Sequence, residues 1–390
     1  MKEIDTDVLI IGSGLVGLVA AYALSFLNYN ITIVDKQNLL SAKYSFKDTR
    51  TVAVSEGSKQ FLDDLFLWQL LKAYAEPIKT IKVYDRFPKN KIIFTNKNKN
   101  EKLGYVIENK KFSQILIKNL KQFKKTKTLY GQKIIGLEMG DNISTTYLKN
   151  YKIRSKLIIA ADGKNSEIKK FVGNKTYKKT YSESAMVLNF SHENSLRNTA
   201  YEIFYNTGPL AILPMMSSGR LNKSTVIWSN KPGFLKKLSN TNDYFFKNFI
   251  EERIGNIVGN IIKINSKQIF PLSAHINDSF INKRLIYVGD SAHSIHPIAG
   301  QGWNLGVSDV KNLYEISKNL KSEIGNNMFC KKYNENSYNK AFQLYQITDK
   351  LNSHFKKNTG LYRLLSNQGL QLIENNQFLK NQISKYAMGV

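Results

Sequence analysis

The distribution of apolar residues predicts alternating strands and helices in the first half of the chain. Residues 8–11 (VLII) and 31–34 (ITIV) are short apolar runs of the kind found in parallel strands that are buried on both faces. An apolar stretch of helical length lies between them. Strand-like and helical patterns also alternate over residues 1–75 and 101–180, which is typical of α/β folds.

The pattern changes after residue 180. Strand-like runs over 181–270 are interrupted by Gly, Pro, Asn and Ser, which predicts an antiparallel sheet inserted into the first domain. Residues 81–87 and 91–96 resemble a hairpin with PKN at its turn, and the chain beyond 290 is mostly helical in pattern. The predicted divisions are 1–75, 101–180 and 271–345 for a Rossmann-like domain, 76–100 and 181–270 for the sheet domain, and 346–390 for C-terminal helices.

A glycine-rich turn joins the first strand to the first helix. Gly12, Gly14 and Gly17 have GxGxxG spacing, which permits a sharp turn, a close approach of a pyrophosphate and tight packing of the helix on the strand. Asp35 ends the second strand, followed by Lys36, where a carboxylate accepts hydrogen bonds from a ribose diol. The unit predicts a dinucleotide site for FAD or NAD.

A membrane span is the alternative for residues 8–34, because this stretch carries no charge. The preceding MKEIDTD has a net negative charge, and the three glycines and the second strand interrupt the stretch. We therefore predict neither a span nor a signal peptide.

Composition indicates a packed globular protein. The 390 residues are 42% hydrophobic, which is ample for a core, and their number exceeds the usual limit for one domain. The net charge of +27 comes mostly from lysines spread along the chain, and the arginines do not cluster, so we predict no nucleic-acid partner. The single cysteine, Cys330, excludes disulfides within the chain, and a reducing, cytoplasmic location is expected.

Six motifs occur in an order that resembles a known family. They are GSGLVG (12–17), the segment 48–71 that begins DTRTVAVSEG, GYVIEN (104–109), ADGKNSEIKK (161–170), GPLAILPM (208–215) and the segment 289–310 that begins GDSAHSIHPIAGQGWNLG. The chain resembles the FAD-dependent aromatic hydroxylases, which are p-hydroxybenzoate hydroxylase-like flavoprotein monooxygenases, and more narrowly their ubiquinone-biosynthesis branch. The resemblance covers nearly the whole sequence.

The resemblance implies a set of FAD contacts. Gly12, Gly14 and Gly17 would hold the diphosphate, and Asp35 would bind the adenosine ribose. Further predicted cofactor-binding residues are Lys36, Arg50, Gln114, Asp162, Gly163, Asp290, Pro297, Gly300, Gln301, Gly302 and Asn304.

Alternatives remain open for three of these positions. Arg50 is also explained by a surface ion pair with Asp48, and Gln114 by an exposed position on a helix. Asp162 belongs to a DG element that lies near the nicotinamide donor in the family, where an arginine usually follows. Lys169 and Lys170 occupy that region here, so the donor contact is left open.

The substrate site that the resemblance implies is roofed by the inserted sheet. Its predicted lining residues are Tyr205, Gly208, Pro209, Leu210, Pro214 and His296. Apolar sheet residues are also explained as core. His293 and His296 are close in sequence, but no carboxylate or cysteine array accompanies them, so no metal is predicted.

The implied function is hydroxylation of the aromatic ring of a polyprenyl phenol in ubiquinone biosynthesis, with FAD, NAD(P)H and O₂. No side chain is assigned as the catalytic acid or base. Alternatives are another isoprenoid-acting flavoprotein, such as a reductase or epoxidase, and a non-catalytic subunit of a quinone-biosynthesis complex. Peripheral membrane contact and self-association are expected, with the helical stripe Leu344, Ile347, Leu351 and Phe355 either at the membrane or packed on protein.

Overall fold

Two eight-stranded sheets and one three-stranded sheet organise the part of the chain that the structure describes. The structure is a computed structural model that describes residues 1–38, 48–85, 91–96, 101–219, 221–356, 371–376, 378, 380 and 382–383. Within these residues the strands are β1 (Lys2–Ile11), β2 (Ile31–Asp35), β3 (Thr51–Ser55), β4 (Glu76–Ile78), β5 (Thr80–Asp85), β6 (Lys91–Thr95), β7 (Gly104–Glu108), β8 (Thr126–Tyr130), β9 (Ile134–Glu138), β10 (Ser144–Leu148), β11 (Tyr151–Ala160), β12 (Thr176–His192), β13 (Thr199–Tyr205), β14 (Gly208–Ser218), β15 (Leu221–Asn230), β16 (Ile261–Asn277), β17 (Ile281–Asn282), β18 (Leu285–Tyr287) and β19 (His293–Ser294). The α-helices are α1 (Leu15–Phe26), α2 (Glu56–Asp64), α3 (Trp68–Leu71), α4 (Asn109–Leu120), α5 (Lys169–Val172), α6 (Pro232–Ser239), α7 (Asp243–Ile254), α8 (Gln301–Asn319) and α9 (Asn327–Lys356).

The first large sheet has a parallel centre with the strand order β8–β2–β1–β11–β18. Ile10 of β1 is in register with Ile33 of β2 and Ile159 of β11, and all three are fully buried. Strands covered on both faces need apolar residues at every position, which explains the uninterrupted apolar runs. The structure confirms the predicted Rossmann-like domain, and it forms a strand, a helix and a strand where a membrane span was the alternative.

The second large sheet has the order β19–β16–β12–β15–β14–β13–β5–β6 and is mostly antiparallel, which confirms the predicted inserted sheet. Helices α6 and α7 cover one face, where Leu210, Trp228, Phe246 and Ile250 form a buried cluster. The opposite face is turned toward the Rossmann-like domain, because Asn189 of β12 donates a 2.6 Å hydrogen bond to a backbone carbonyl of residue 49.

The predicted domain boundaries stay a prediction. Strands β5 and β6 pair as the expected hairpin, although its PKN turn lies outside the described residues. The small sheet β3–β7–β4 lies beside the inserted sheet, since Ile78 and Val106 pack with Ala200 and Met215. Helix α9 runs without interruption through the boundary predicted between residues 345 and 346.

No helix in the described part of the chain has the length and apolarity that crossing a bilayer requires.

Candidate active site

Five parallel strands of the Rossmann-like sheet end at one edge, and predicted dinucleotide residues follow four of them. At the end of β2, Asp35 accepts hydrogen bonds from the Ser13 backbone N–H at 2.7 Å and the Ser13 hydroxyl at 2.6 Å. Its second oxygen accepts one from the Gln37 backbone N–H at 2.7 Å. These bonds hold the carboxylate beside the glycine turn, where spare lone pairs remain for ribose hydroxyls.

The glycine turn has no room for side chains on its protein side and open space on the other. Gly12 has φ +101°, and a Cβ there would lie 2.4 Å from the Ala161 carbonyl oxygen. A Cβ on Gly17 would lie 2.2 Å from the Gly12 carbonyl oxygen, whereas one on Gly14 would meet nothing within 4 Å. Helix α1 begins at this turn without a side-chain cap, so its free N–H groups point at an open space.

A cavity of about 440 Å³, counted with its open mouth, lies beside this turn. Gly12, Asp35, Lys36 and Asp162 are among its lining residues. Lys36 pairs with Glu167 at 3.3 Å, and this ion pair joins the ends of β2 and β11 across the cavity. The position of the cavity fits the adenosine end of a dinucleotide.

The DG element borders the same cavity. One oxygen of Asp162 accepts a hydrogen bond from the Glu167 backbone N–H at 2.7 Å, while the other is buried without a partner among the described residues. Burial raises the pKa of Asp162, and it lowers the pKa of the neighbouring Lys169 to about 8. Gly163 has φ +80° and open space where a Cβ would be.

The glycine turn and the 289–306 segment meet in space, as the sequence predicts for a shared cofactor. A Cβ on Gly289 would lie 3.1 Å from Val16 Cγ1, and one on Gly306 would lie 2.8 Å from Val16 Cγ2. Asp290 follows at the end of β18. Its side chain is exposed, but desolvation by the surrounding protein raises its pKa against the fields of His293, Lys164 and Arg50. Asp290 therefore lies directly beside the place where the two segments meet.

A buried network that the sequence did not reveal holds this turn. Asp309 of α8 accepts hydrogen bonds from the Gly289 backbone N–H at 2.9 Å and from His293 Nε2 at 2.6 Å. Burial by itself would lower the pKa of His293, but the Asp309 carboxylate outweighs it and the pKa is raised. The signal in the sequence that could have identified this network is Asp309, a charged residue among the apolar positions on the buried face of α8.

The start of α8 presents backbone amides to the cleft. Gly300 precedes it with φ +61°, no side chain caps the helix, and a Cβ on Gly302 would have its nearest neighbour 4.0 Å away. Pro297 and Gln301 flank this short turn. Asn304 uses its whole amide within the protein: it donates to the Ala53 and Gly300 carbonyls and accepts from the Ser55 N–H and the Ser58 hydroxyl. Asn304 therefore positions the helix.

Arg50 has the ion pair, and Gln114 the exposed helical position, that the alternative explanations of these residues predicted. Arg50 forms a two-pronged ion pair with Asp48, at 2.9 and 2.8 Å, and its guanidinium lies 5.6 Å from the Phe270 ring centre of the inserted sheet. Gln114 is exposed on α4. Their contacts to FAD, like those of the other predicted cofactor residues, stay predictions.

Several predicted substrate residues face away from the Rossmann-like domain. Tyr205 donates a hydrogen bond of 2.7 Å to the Arg253 carbonyl of α7, and Leu210 belongs to the cluster under α6 and α7. Pro214 has the same strand parity as Leu210, and Gly208 is held by a tight approach to the Ser229 carbonyl. The roof that was assigned to Tyr205, Leu210 and Pro214 stays a prediction, while their side chains lie on the sheet face that α6 and α7 cover. When a strand has apolar residues at consecutive positions, its sequence does not show which alternate set of side chains faces a ligand.

The cleft lies against the other face of the inserted sheet, which is formed by residues of opposite parity to Leu210. Pro209 has this parity, and the residues in register across the sheet are Val83, Glu202, Ala211, Ile227, Val187 and Gln268. Most are only half-buried although they lie in a sheet that packs against another domain, so open space remains there. His296 is buried beside the sheet, with Nε2 3.5 Å from a Glu183 oxygen. Glu202 is a candidate that the sequence analysis missed.

No group of three His, Cys, Asp or Glu side chains is placed to hold a metal ion in the described residues. The site fits FAD on its geometry. Two uncapped helix N-termini, the open positions at Gly14 and Gly163, and a buried oxygen of Asp162 that has no partner among the described residues suit an anionic dinucleotide with hydroxyl donors.

Comparison with known proteins agrees with this geometry. Residues 5–346 match the model of a family described as FAD binding domain. The chain is 29% identical to the ubiquinone hydroxylase UbiL of Rhodospirillum rubrum, over 98% of this chain and 89% of that protein. It is 27% identical to the 3-demethoxyubiquinol 3-hydroxylase of Escherichia coli, over 100% of both chains.

Solved structures show the same fold. The p-nitrophenol 4-monooxygenase PnpA of Pseudomonas putida superimposes with a TM-score of 0.80 at 16% identity, over 100% of this chain and 99% of that chain. The prediction of an FAD-dependent hydroxylase is thus confirmed. The chain belongs to the FAD binding domain family and is an FAD-dependent monooxygenase.

Proposed function

We propose that this protein hydroxylates the aromatic ring of a polyprenyl phenol intermediate in ubiquinone biosynthesis, using NAD(P)H and O₂. The full-length similarity to two relatives named as ubiquinone-pathway hydroxylases carries this proposal. The cleft between the flavin site and the inserted sheet supports it, because its sheet wall is mostly apolar and suits a prenylated ring.

The residues of the chain bind and orient in this proposal. The amides of the glycine turn and the start of α8 hold the anionic diphosphate and the electron-rich edge of the flavin, and Asp35 and Asp290 accept hydrogen bonds from sugar hydroxyls. Bound FAD supplies the oxygen-transfer chemistry after reduction by NAD(P)H. The apolar sheet face excludes water from the ring. No second GxGxxG follows in the sequence, so NAD(P)H binds transiently.

The test is complementation of a quinone-deficient strain together with assay of the purified, FAD-loaded protein. We expect restored quinone, and a product heavier by one oxygen that carries label from ¹⁸O₂. A product formed without O₂ would instead indicate a reductase, and oxygen on the prenyl tail an epoxidase. A colourless protein that gains no flavin when FAD is supplied would indicate a non-catalytic subunit.

Contact with the membrane surface is the second part of this proposal. Leu344 of the predicted stripe is buried, whereas Ile347 and Leu351 are 42% and 39% exposed, and Phe355 lies outside the described side chains. With the net charge of +27, these apolar residues suit an anionic lipid surface. Replacement of both Ile347 and Leu351 by Ser should reduce sedimentation with anionic vesicles, and Tyr244→Ser, which changes an exposed residue of α7, is the control.

Association with other quinone-biosynthesis proteins and with a second copy of the chain is also proposed, at a cytoplasmic location. Light scattering of the purified protein, with and without detergent, measures its self-association. Co-purification from the native host, with the tag on either terminus, measures the other contacts.

A further inference from the structure

Glu202 lies on the face of the inserted sheet that is turned toward the flavin site. Its neighbours Ile203 and Tyr205 on β13 pack on the opposite face, under α6 and α7. Side chains alternate between the faces of a strand, so Glu202 points toward the Rossmann-like domain. Asn189 has the same orientation, because its amide donates to the Thr49 carbonyl.

Glu202 has two apolar register neighbours. Val83 on β5 and Ala211 on β14 are its register neighbours, and both are half-buried. An alanine on an interior strand that keeps accessible surface borders a cleft. A second acid on this face is Asp85, which is buried and in register with Phe204.

The carboxylate of Glu202 has no hydrogen-bond or ion-pair partner among the described residues. Burial is the one cause that raises the pKa of Glu202, to about 8. An unpaired acid on an apolar wall is costly to the folded protein, and a ligand that bonds to it removes the cost. This combination is typical of functional sites.

The position suits the far end of a bound ring. Glu202 lies three strand spacings, or about 14 Å, from Val187 on β12. On the same face of β12, Val187 lies between Asn189 and Ala185. Ala185 is in register with Phe270 of β16, and the guanidinium of Arg50 lies over the Phe270 ring. A phenol whose ring lies between the predicted flavin site and β13 can therefore direct its hydroxyl group to Glu202.

We propose that Glu202 binds the hydroxyl group of the phenol substrate and accepts its proton, an inference that rests on the proposed function. The phenol O–H bond breaks, the proton goes to a Glu202 oxygen, and the electron pair stays on the phenol oxygen. The ring becomes electron-rich and attacks the electrophilic oxygen that the established activity supplies. The hydroxylated carbon would then lose its proton to the oxygen atom from which the hydroxyl group was transferred, and Glu202 would return its proton to the ring oxygen.

The acid strength of the group suits this task. Phenols have pKa values near 10, and a carboxyl group with a pKa of about 8 is a stronger base than one at the usual 4.5. Proton transfer by a positioned group contributes about 10²- to 10⁴-fold to a rate. The pH profile of turnover should therefore carry the titration of Glu202.

Binding tests the proposal without turnover. FAD-loaded, oxidised protein is titrated with ortho-geranylphenol and with its methyl ether, and flavin fluorescence reports binding. We expect wild-type protein to prefer the phenol by about tenfold, the worth of one hydrogen bond to a charged group, and Glu202→Leu to bind both equally. A variant that keeps the preference, or a wild-type protein that lacks it, overturns the proposal.

Turnover gives the second measurement. Glu202→Gln keeps the shape of the side chain, and we expect kcat to fall at least a hundredfold and the acidic limb of the pH profile to disappear. Glu252→Gln, which changes an exposed acid on α7, is the matched control. A Glu202→Gln protein with the wild-type rate and pH profile overturns the proposal. Wild-type protein that binds the phenol but forms no product contradicts the proposed function alone.

Discussion

A Cβ atom on Gly306 would lie 2.8 Å from Cγ2 of Val16, and this contact brings the start of α8 onto the first turn of α1. Real Cβ atoms essentially never approach so closely. The two helix N-termini that face the predicted FAD site therefore depend on a glycine at position 306.

Replacement of Gly306 by Val should separate these helices. Overpacking of this kind costs about 1 to 3 kcal/mol, and the FAD dissociation constant should rise more than tenfold because the amides of the two turns no longer converge. Fluorescence titration with FAD and a thermal melt measure both effects. Gly233→Ala, at a helical position with open space around it, is the control. Wild-type FAD affinity in Gly306→Val would contradict the convergence.

Asn304→Ala should loosen the start of α8. The substitution leaves the Ser55 N–H and the Ala53 carbonyl without their partners, which costs on the order of 3 kcal/mol. Asn304→Asp keeps the acceptors and loses the donors, so its stability should lie between those of Ala and Asn. Urea unfolding gives the free energies. An Asn206→Ala change, at an exposed turn, should have no effect on them.

The His293–Asp309 pair predicts a pH dependence of stability. The pKa of His293 is raised above 6.5 in the folded protein. Protonated His293 therefore contributes its full stabilisation to the folded protein below pH 6.5, and this stabilisation is lost as the pH rises through the pKa that His293 has in the folded protein. Asp309→Asn should destabilise by about 3 to 5 kcal/mol at low pH, and the difference from wild type should shrink as the pH rises. Urea unfolding across this pH range measures it, and a difference that grows with pH would contradict the assignment.

Replacement of Glu202 should stabilise the ligand-free protein, whereas replacement of Asp309 should destabilise it. Its pKa is raised from 4.5 to about 8, so the folded protein binds an extra proton between these values and loses stability as the pH rises through that window. Glu202→Gln removes the loss, and the ligand-free variant should be more stable than wild type by on the order of 2 kcal/mol at about pH 9. At about pH 4 the two proteins should melt together. A variant less stable than wild type at high pH would show that Glu202 has a structural partner.

The sequence alone determined the Rossmann-like unit and its glycine turn. Gly12, Gly14 and Gly17 lie within a few residues of the strand and helix they join, and the apolar runs at 8–11 and 31–34 carry their own signal of burial on both faces. Such features are local, because backbone sterics and the burial of consecutive residues specify them. The meeting of this turn with the 289–306 segment was inferable from the family order of the motifs.

Only the tertiary structure decided which residues of the inserted sheet face the cleft. Leu210 and Ala211 are consecutive and both apolar, yet the first packs under α6 and α7 and the second borders the cleft beside Glu202. It also decided that the amide of Asn304 is used within the protein and that Asp309 supports Gly289. A strand has two faces that alternate residue by residue, and the element that covers each face comes from a distant part of the chain, so the local sequence holds no record of the choice.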